Sequence, residues 1–583
     1  MSLITRSGTL RIFVRARTFS TAPPPRLRRL GRVLVLSSAL TTSVLGYVFY
    51  NDASTIEPAP FDTRTLSDLL RAYIVYGTCS IAPLVDAAPT ILDTLFSIPG
   101  VSKIVESFVR ATFFHQFVGA DTANGALPLI TSLRAENKGA LFAHAVEVDQ
   151  KEVMGQTNME GQPVHKRIIE EIIRSINASA DFEDGRDAFQ DGHIGRRTWV
   201  SVKLTAMLPN AQSLINLSTH LANTRAQLEP PVLFPGTPSP SDLSILHSSA
   251  STGTLTESDI HDLKELYSDL VQICTHAEER GVRVFIDAEY SWYQPAIDAF
   301  GHALMERFNK LPSDGFLRTW WDISSWTSSP SARKSVDDRV RPLVYVTYQT
   351  YLRRMPAHLT HSLALARARG YALGVKLVRG AYHPYEVAAH HLARSVDSAV
   401  GSPRSLSISP DPEPPVQPSK DATDQCYHDC ATVLIDAISQ DVHRSGRFGA
   451  PIIGVFFATH NWTSCESILE ELVKKGLGVV ERVGVNEVQE DVVRIPLEVG
   501  ERIAFGQLYG MSDALTNYLV GRTRCERPCV IKYVPFGALV QVMPYLSRRA
   551  IENKSVLGAG GATRERKGAA ALIWKKMKGL VVS

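Results

Sequence analysis

The stretch "ALGVKLVRG" (Ala372–Gly380) is a short, nearly continuous apolar run that acquires positive charge toward its end. Its aliphatic and β-branched side chains are typical of a strand that is buried on both faces. Lys376 and Arg379 lie in its second half. This pattern predicts a strand of a covered parallel sheet whose carboxyl end carries cations.

Seven further stretches have the same character, and helix-like segments such as "DIHDLKELYSDLVQICTHAEERG" (259–281) lie between most of them. They are "GALFAHAV" from 139, "TWVSVKLTAM" from 198, "VRVFIDAEY" from 282, "PLVYVTYQTY" from 342, "PIIGVFFATH" from 451, "ERIAFGQLYG" from 501 and "PCVIKYVPFG" from 528. Eight alternating units predict an α/β protein with a closed (β/α)8 TIM barrel. The alternative is an open doubly wound sheet, but no strand is followed by a GxGxxG turn.

Polar side chains gather at the carboxyl ends of seven of these runs. They are Lys203 and Thr205, Asp287 and Glu289, Gln349, Lys376 and Arg379, His460 and Asn461, Gln507, and Tyr533. A single lysine or aspartate at a strand end is usually a solvated loop residue, but a barrel brings all these ends to one mouth, where active sites lie. Because the set is rich in cations, we expect it to bind an anionic ligand.

The composition excludes several classes of protein. The 583 residues are 44% hydrophobic and carry a formal net charge of +3, which favours a soluble-type globular body and gives no reason to expect nucleic acid. Seven cysteines do not make a secreted disulfide framework. The pairs Cys426/Cys430 and Cys525/Cys529 have a CxxxC spacing that is commonly incidental on a helix, so no metal site is predicted.

The N-terminal region has the composition of a mitochondrial presequence. Eight arginines and no acidic residue precede Tyr50, and serine and threonine are frequent. We assign residues 1–21 to the presequence, with a disordered basic arm as the alternative. Residues 33–50 are uncharged and long enough to cross or touch a bilayer. Basic residues before them would favour a matrix-facing N-terminal side and put the body of the protein on the other side.

The remaining chain divides by pattern. Apolar residues recurring every three to four positions predict a helical arm over 60–135. The barrel is expected over 136–560, with Pro/Ser-rich inserted loops at 229–258 and 401–419. Residues 561–583 are assigned to a C-terminal tail.

The segment "VMPYLSRRAIEN", which begins at Val542, places an unusual set of side chains on one face. Proline suits the first position of a helix, so we expect the helix to start at Pro544. The face then presents Tyr545, Arg548, Arg549 and Glu552 at i, i+3, i+4 and i+7 from Tyr545. Two arginines can hold a carboxylate by forked, charge-assisted hydrogen bonds. The alternative is a surface helix with charge pairs worth about 0.2–0.5 kcal/mol each.

Several segments together resemble the signature motifs of proline dehydrogenase (proline oxidase), in order over roughly residues 60–560. They are "FIDAEYSWYQPAID" (285–298), "GVKLVRGAY" (374–382), "SKDATDQCYHDC" (419–430), "FATHN" (457–461), "FGQLYGM" (505–511) and "YVPFG…PYLSRRAIEN" (533–553). The N-terminus and the inserts are similar to those of a fungal mitochondrial member. The resemblance implies a distorted (β/α)8 barrel, FAD, and oxidation of L-proline to 1-pyrroline-5-carboxylate with hydride transfer to flavin N5. It further implies electron transfer to ubiquinone and association with the matrix side of the mitochondrial inner membrane.

The resemblance also assigns residues. The expected substrate-binding set is Lys203, Asp287, Tyr382, Leu508, Tyr533, Tyr545, Arg548 and Arg549. The expected FAD-binding set is Gln349, Lys376, Arg379, Gly380, Lys420, Thr423, Thr459, His460, Asn461, Gln507 and Glu552.

Three assignments decide how the chemistry is interpreted. Tyr533 stands where relatives that prefer 4-hydroxyproline carry a smaller residue, which implies proline as the substrate. Lys376 stands where bacterial relatives often have arginine. His460 is expected to contact the cofactor, with a role as base as the alternative. Two other functions remain open: a Schiff-base lyase or aldolase using Lys203 or Lys376, and a membrane-tethered scaffold without activity, which would not need the polar strand ends.

Overall fold

Eight parallel strands close into a barrel in the computed structural model, with helices around it. The structure describes residues 48–54, 64–145, 163–185, 195–226, 228–247, 254–312, 341–395, 405–445, 451–483, 490–555 and 561–582. The strands in chain order are β1 (Lys138–His144), β2 (Thr198–Val202), β3 (Val284–Ile286), β4 (Val344–Gln349), β5 (Leu373–Val378), β6 (Ile453–Ala458), β7 (Val479–Val483), β8 (Glu490–Arg494), β9 (Ile503–Leu508), β10 (Thr523–Arg524) and β11 (Val530–Phe536).

The barrel order is β1-β11-β9-β6-β5-β4-β3-β2, and all neighbours are parallel. Each of the eight predicted runs contains one of these strands, so the predicted (β/α)8 barrel is confirmed. The first and last strands close it, with Lys138 opposite Val530 and His144 opposite Phe536. The remaining strands form a small outer sheet, β10-β8-β7, which the sequence analysis did not anticipate.

The helices follow the expected alternation. They are α1 (Leu66–Cys79), α2 (Ala82–Phe96), α3 (Val101–Val109), α4 (Leu127–Ala135), α5 (Val164–Asp184), α6 (Gln212–Thr224), α7 (Glu257–Arg280), α8 (Gln294–Phe308), α9 (Met355–Arg369), α10 (His383–Arg394), α11 (Lys420–Ser445), α12 (Trp462–Lys474), α13 (Asp513–Arg522), α14 (Leu539–Ser555) and α15 (Gly561–Val582). In α7, local sequence signals fix both ends of the helix. Thr256 and Asp259 form a capping box at its start, and Gly281 ends it with a left-handed φ of 63°.

Aromatic rings fill the lower half of the barrel. Phe285 stacks on Tyr345 with ring centroids 4.5 Å apart and on Trp199 at 5.3 Å. Phe456 packs edge-on against Phe285, and a side chain at Gly506 would come within 2.2 Å of the Phe456 ring. The interior is therefore a packed core below its open end.

Ion pairs close the amino-terminal end of the barrel. The fully buried Arg197 pairs with Glu501 at 3.0 Å, and Arg283 reaches the same carboxylate at 3.4 Å. Burial alone would raise the pKa of Glu501, but the two guanidinium groups hold it below its usual value. This end is built for stability, which leaves the opposite end for chemistry.

The chain termini pack together outside the barrel. The arm is helical from Leu66 onward, as predicted, and α1 packs along α15, so the predicted C-terminal tail is a helix over the described residues 561–582. The assigned presequence 1–21 and residues 33–47 lie outside the described residues. Among the described residues, no helix combines the length and hydrophobicity needed to cross a membrane.

The helix with the two arginines begins earlier than predicted. α14 starts at Leu539, and Pro544 lies inside it. A proline removes one hydrogen bond to the residue four positions earlier, here Val540, which is the second residue of the helix and 79% exposed. The unpaired carbonyl of Val540 lies near the start of the helix, where it can bond to water. The helix can therefore continue past Pro544.

Candidate active site

A cavity of about 310 Å³ opens where the carboxyl ends of the barrel strands meet α14. All of the predicted substrate-binding and FAD-binding residues line it except Thr423. From the strands and their following loops come Lys203, Asp287, Gln349, Lys376, Arg379, Gly380, Tyr382, Thr459, His460, Asn461, Gln507, Leu508 and Tyr533; from the helices come Lys420, Tyr545, Arg548, Arg549 and Glu552. The ends of seven strands and two helices therefore converge on one cavity, as the polar strand ends predict.

The cavity wall is strongly cationic. Two carboxylates, Asp287 and Glu552, face six lysines and arginines in it. Those cations are Lys203, Lys376, Arg379, Lys420, Arg548 and Arg549. The excess of positive charge fits a ligand with phosphate or carboxylate groups.

Asp287 is the centre of a buried cluster on one wall. Its Oδ1 accepts a hydrogen bond from Lys376 Nζ at 2.7 Å, and its Oδ2 accepts one from the Tyr533 hydroxyl at 2.9 Å. Burial alone would raise the pKa of Asp287, but Lys376 and then Lys203 outweigh it and lower that pKa. Lys376 also lies over the Tyr533 ring, with its Nζ 4.9 Å from the ring centre. Asp287 is thus a permanent anion that holds a lysine and a tyrosine in fixed positions.

The two arginines of α14 are held differently. Arg549 is 4% exposed, donates to Glu552 Oε1 at 2.5 Å, and lies 4.8 Å over the Tyr545 ring. Arg548 donates to the Tyr382 hydroxyl at 3.3 Å and lies 5.6 Å over its ring. Both guanidinium groups reach the cavity although adjacent helix positions point about 100° apart.

A second network fixes Arg379 at the end of β5. Its guanidinium donates to Asp424 at 2.5 Å, to the Thr459 hydroxyl at 2.7 Å and to the Ser464 hydroxyl at 2.7 Å. Lys420 shares Asp424 from the first turn of α11, also at 2.5 Å. Burial alone would raise the pKa of Asp424, but its bonds to Lys420 and Arg379 lower it. Asp424 therefore holds two of the wall's cations in place.

His460 is partly buried and lies two residues after the end of β6. Its Nδ1 lies 3.0 Å from the Ser512 hydroxyl, and its Nε2 accepts from the Leu508 amide at 3.5 Å. Burial, followed by the charges of Lys532 and Arg549, lowers the pKa of His460 to about 3. The ring is neutral at physiological pH and is a weak base, which favours the contact role over the role as base.

Gln349 and Gln507 present amide groups to the cavity from β4 and β9. Gln349 Nε2 donates to the Glu289 carbonyl at 3.0 Å, while its buried Oε1 has no hydrogen-bond partner among the described residues. Gln507 Nε2 donates to the Thr459 carbonyl at 3.3 Å and its Oε1 accepts from Thr516 at 3.2 Å. A buried oxygen without a hydrogen-bond donor destabilises the fold, so the Gln349 Oε1 is a candidate to accept a hydrogen bond from a ligand.

The turn after β5 brings backbone close to this wall. Gly380 has a φ of 125°, and a Cβ there would lie 2.3 Å from the Tyr351 ring. Two residues later, the Tyr382 ring packs on the Tyr290 ring at a tilt of 32°, with centroids 4.2 Å apart. The insert 401–419 contributes here, because its Val416 is buried against Tyr351 and Tyr382.

Some contributors were not predicted. Thr347 lines the cavity, and its hydroxyl donates to the Ile286 carbonyl at 2.8 Å. It precedes Gln349 by two positions, so the alternation of side chains along β4 could have revealed it. Thr423 does not line the cavity: its hydroxyl donates to the Ser419 carbonyl at 3.0 Å inside the first turn of α11.

Comparisons with known proteins agree with this architecture. A family model described as proline dehydrogenase matches residues 142–400 and 407–559. The chain is 27% identical over 515 residues to "Proline dehydrogenase 1, mitochondrial" of Arabidopsis thaliana, covering 87% of this chain and 83% of that protein. It is 27% identical over 522 residues to "Hydroxyproline dehydrogenase" of Mus musculus, covering 89% and 93%.

A solved structure shares the fold. It is proline utilization A (PutA) from Bdellovibrio bacteriovorus inactivated by N-propargylglycine, with a TM-score of 0.52 and 16% identity. The similarity covers 88% of this chain and 41% of that protein, so the chain spans less than half the length of that relative.

Proposed function

The chain belongs to the proline dehydrogenase family, and from that membership we propose that it oxidises L-proline to 1-pyrroline-5-carboxylate with FAD as its cofactor. One observation carries the proposal. Arg548 and Arg549 line the same cavity as Lys376 and Gln349, so carboxylate-binding groups and candidate cofactor-binding groups meet in one space. This juxtaposition links the two predicted residue sets.

The residues around the cavity fit FAD. The unpartnered Gln349 Oε1 can accept from an N–H group of the isoalloxazine, and the buried Arg549 Nε, which also has no hydrogen-bond partner among the described residues, can donate to an acceptor. Lys376 and Arg379 supply cations for its carbonyl side, and Lys420 supplies one for a phosphate. Gly380, Thr459, His460, Asn461, Gln507 and Glu552 complete the set at the cavity, whereas Thr423 lies outside it in the first turn of α11. When bound, the flavin supplies the two-electron acceptor of the reaction.

The arginines of α14 would hold the carboxylate of proline. Each charge-assisted bond is worth roughly 1.5–3 kcal/mol. Glu552 keeps Arg549 in one rotamer, and the Tyr382 ring and hydroxyl do the same for Arg548. The clamp therefore loses little side-chain freedom on binding, which favours a single orientation of the substrate ring.

The cluster around Asp287 would form the wall beside the proline ring. Because Asp287 keeps its negative charge, its Oδ2 continues to accept the proton of the Tyr533 hydroxyl and fixes the tyrosine ring in place. Tyr545 and Leu508 add apolar surface to the pocket. A fixed tyrosine at this position should crowd an additional ring hydroxyl, so we propose proline rather than 4-hydroxyproline as the substrate.

The ring nitrogen must lose its proton before or during the oxidation. His460 is neutral and takes no proton at physiological pH. Lys203 is only partly buried and the cavity is open at its mouth, so water can reach the substrate. We propose that water accepts the proton. A Schiff-base role for Lys376 has less support, because its ammonium group is already bound to Asp287.

We further propose that the protein is mitochondrial and bound to the inner membrane, and that ubiquinone, which family membership implies, accepts the electrons. The arginine-rich N-terminus and the uncharged segment 33–50 support the location. Relatives named as mitochondrial agree with it.

An absorbance spectrum of the purified full chain tests the proposal. We expect flavin bands that bleach when L-proline is added without oxygen. A colourless protein that borohydride traps on a keto substrate would favour a Schiff-base enzyme instead, and a colourless, inert protein would favour the scaffold.

A further inference from the structure

The N-terminal arm carries most of the exposed large apolar side chains that the structure describes. Twelve of twenty-one lie between Val48 and Phe108. We call ten of them the apolar arm surface: Leu66, Leu70, Ile74, Ile81, Leu84, Ile91, Phe96, Ile98, Ile104 and Phe108. So many exposed apolar side chains within one short region of a chain favour a binding surface there.

The exposed residues follow helical spacing. Leu66, Leu70 and Ile74 recur every fourth position along α1, while its opposite side, including Leu69 and Val75, is buried. A helix that is apolar on both sides needs a partner on each. α14 and α15 cover one side of α1, while Leu66, Leu70 and Ile74 on the other side remain exposed in the part of the chain that the structure describes.

The two most exposed residues of the apolar arm surface lie on α3. In α3, Ile104 is 71% and Phe108 is 54% exposed, one turn apart. The exposed Lys103 and Glu106 lie on other sides of the helix. A helix with an apolar face and charged residues on its other sides is typical of a membrane interface.

The uncharged segment 33–50 leads directly into this region. Its last residues belong to a short helix over 48–53, in which Phe49 packs on Tyr73 at 5.4 Å and Tyr50 on Trp574 at 5.9 Å. An apolar segment at a bilayer would therefore bring α1 and α15 to the same surface.

α15 supplies the charge that suits such a surface. Lys575, Lys576 and Lys578 follow Trp574, and Lys578 lies 5.3 Å over its ring. Tryptophan and tyrosine beside lysines are typical of the level of lipid head groups, and lysines attract anionic lipids.

We propose that the apolar arm surface lies in the head-group region of an anionic bilayer, with the α15 lysines against the lipid phosphates. The inference rests on the proposed membrane association and names the face that makes it. It does not depend on the oxidation of proline.

A fluorescence experiment on the full chain tests it. Ile104→Cys and Phe108→Cys each receive an environment-sensitive NBD label, and Val480→Cys on β7, exposed but far along the chain, is the matched control. The unchanged chain, in which six of seven cysteines are buried, gives the labelling background. The probes are phosphatidylcholine vesicles with and without phosphatidylglycerol.

We expect the labels at 104 and 108 to brighten several-fold, shift to the blue and resist iodide quenching with anionic vesicles, while the label at 480 does not change. Labels that stay in water while the protein floats with the vesicles would overturn the proposal, because segment 33–50 alone would then be the anchor. A protein that does not float at all would overturn it as well.

Shielding without vesicles would also overturn it. If that shielding depends on protein concentration, a second copy covers the surface, and if it does not, another part of this chain does. A second variant gives an independent readout: Ile104→Gln with Phe108→Gln should reduce flotation several-fold, and Val479→Gln with Val480→Gln should not. Bleaching by proline, measured on the same samples, reports separately on the proposed reaction.

Discussion

At the scale of single residues, ion pairs and burial determine which side chains of the cavity can exchange protons. Asp287 and Glu552 are each bound by a cation at 2.7 Å or less, and His460 is neutral. These side chains are therefore better suited to holding and orienting a ligand than to exchanging protons with it. The cavity is suited to a reaction whose electron acceptor is brought by a cofactor.

The two arginines of α14 should be separable by mutation. Arg548→Ala and Arg549→Ala are each expected to raise the KM for L-proline by about 10–100-fold, because each removes a charge-assisted bond to the carboxylate. Arg549→Ala also leaves the partly buried Glu552 unpaired, so only this variant should melt at a lower temperature. Steady-state kinetics, flavin content and thermal melts measure all three effects.

Arg522→Ala, at the end of α13 and outside the cavity, is the matched control and should leave the KM unchanged. Loss of flavin in both α14 variants, or an unaltered KM in both, would contradict the clamp.

Tyr533 should set the choice between proline and 4-hydroxyproline. Tyr533→Ser removes the ring and should shift the ratio of kcat/KM values toward 4-hydroxyproline by about tenfold or more. Tyr533→Phe keeps the ring and loses only the hydrogen bond to Asp287, worth about 1 kcal/mol, so selectivity should persist. Competition between the two substrates measures the ratio, and an equal shift in both variants would show that the hydroxyl, not the ring, excludes the larger substrate.

The sequence motifs predicted which residues line the cavity, but they could not predict the hydrogen bonds and ion pairs between those residues. Lys376 and Asp287 were both predicted at the cavity, yet their ion pair joins β5 to β3 and is visible only in three dimensions. Asp424 was not singled out, because an acidic residue four positions after Lys420 is an ordinary helix pair in sequence. Its second bond, to Arg379, depends on the approach of α11 to β5.

At the scale of elements, the turn between β5 and α10 is the most constrained connection near the cavity. Gly380→Ala should destabilise the fold by about 1–3 kcal/mol and weaken FAD binding, because the φ of 125° is strained for alanine and the Cβ meets the Tyr351 ring. Thermal melts and the flavin content after gel filtration measure the two effects.

Gly370→Ala, at the end of α9, is a matched control for backbone strain alone. Its φ is 68°, but among the described residues no heavy atom lies within 4 Å of the added Cβ. It should cost about 1 kcal/mol and leave FAD binding intact. Equal flavin loss in both variants would show that the Tyr351 contact is unimportant.

Elements with strong periodicity were predictable, and those decided by tertiary contacts were not. All eight barrel runs are apolar because helices cover them, and that signal is local. β7, β8 and β10 are short and mostly exposed, so their pattern does not distinguish them from loops. Pro544 suggested a helix start because proline prefers that position, but the preceding turn of α14 is stabilised by packing of Leu539 and Val542 on the arm.

At the scale of the whole molecule, a cluster of charges joins the arm, the barrel and the C-terminal helix. Asp513 accepts from Lys532 at 2.9 Å and from Arg64 at 3.2 Å. Burial opposes ionisation, but Lys532 and Arg64 prevail and lower the pKa of Asp513 to about 2. Burial and the nearby Asp513 raise the pKa of Glu565 on α15 to about 7.

This cluster predicts a pH dependence of stability. A carboxyl group whose pKa is higher in the folded chain takes up a proton on folding, so its contribution to the free energy of unfolding falls as pH rises from about 4.5 to about 7. Glu565→Gln should therefore match the parent at pH 5 and exceed it by about 1–2 kcal/mol at pH 8. Urea unfolding at both pH values measures the difference.

Comparing variant with parent cancels the opposite trend from His144 and His460, whose lowered pKa values make stability rise up to about pH 6.5. The exposed Glu470→Gln on α12 is the control and should show no such divergence. A parallel pH profile for Glu565→Gln and the parent would contradict the assignment.

The pairing of β1 with β11 has a consequence for how the protein is made. Because the first and last strands of the barrel pair with each other, a ribosome must release nearly all of the polypeptide before the barrel can close. The segment with Arg548 and Arg549 emerges immediately afterwards. A prematurely terminated product should therefore be inactive rather than partly active, because it lacks the last barrel strand or the two arginines that follow it.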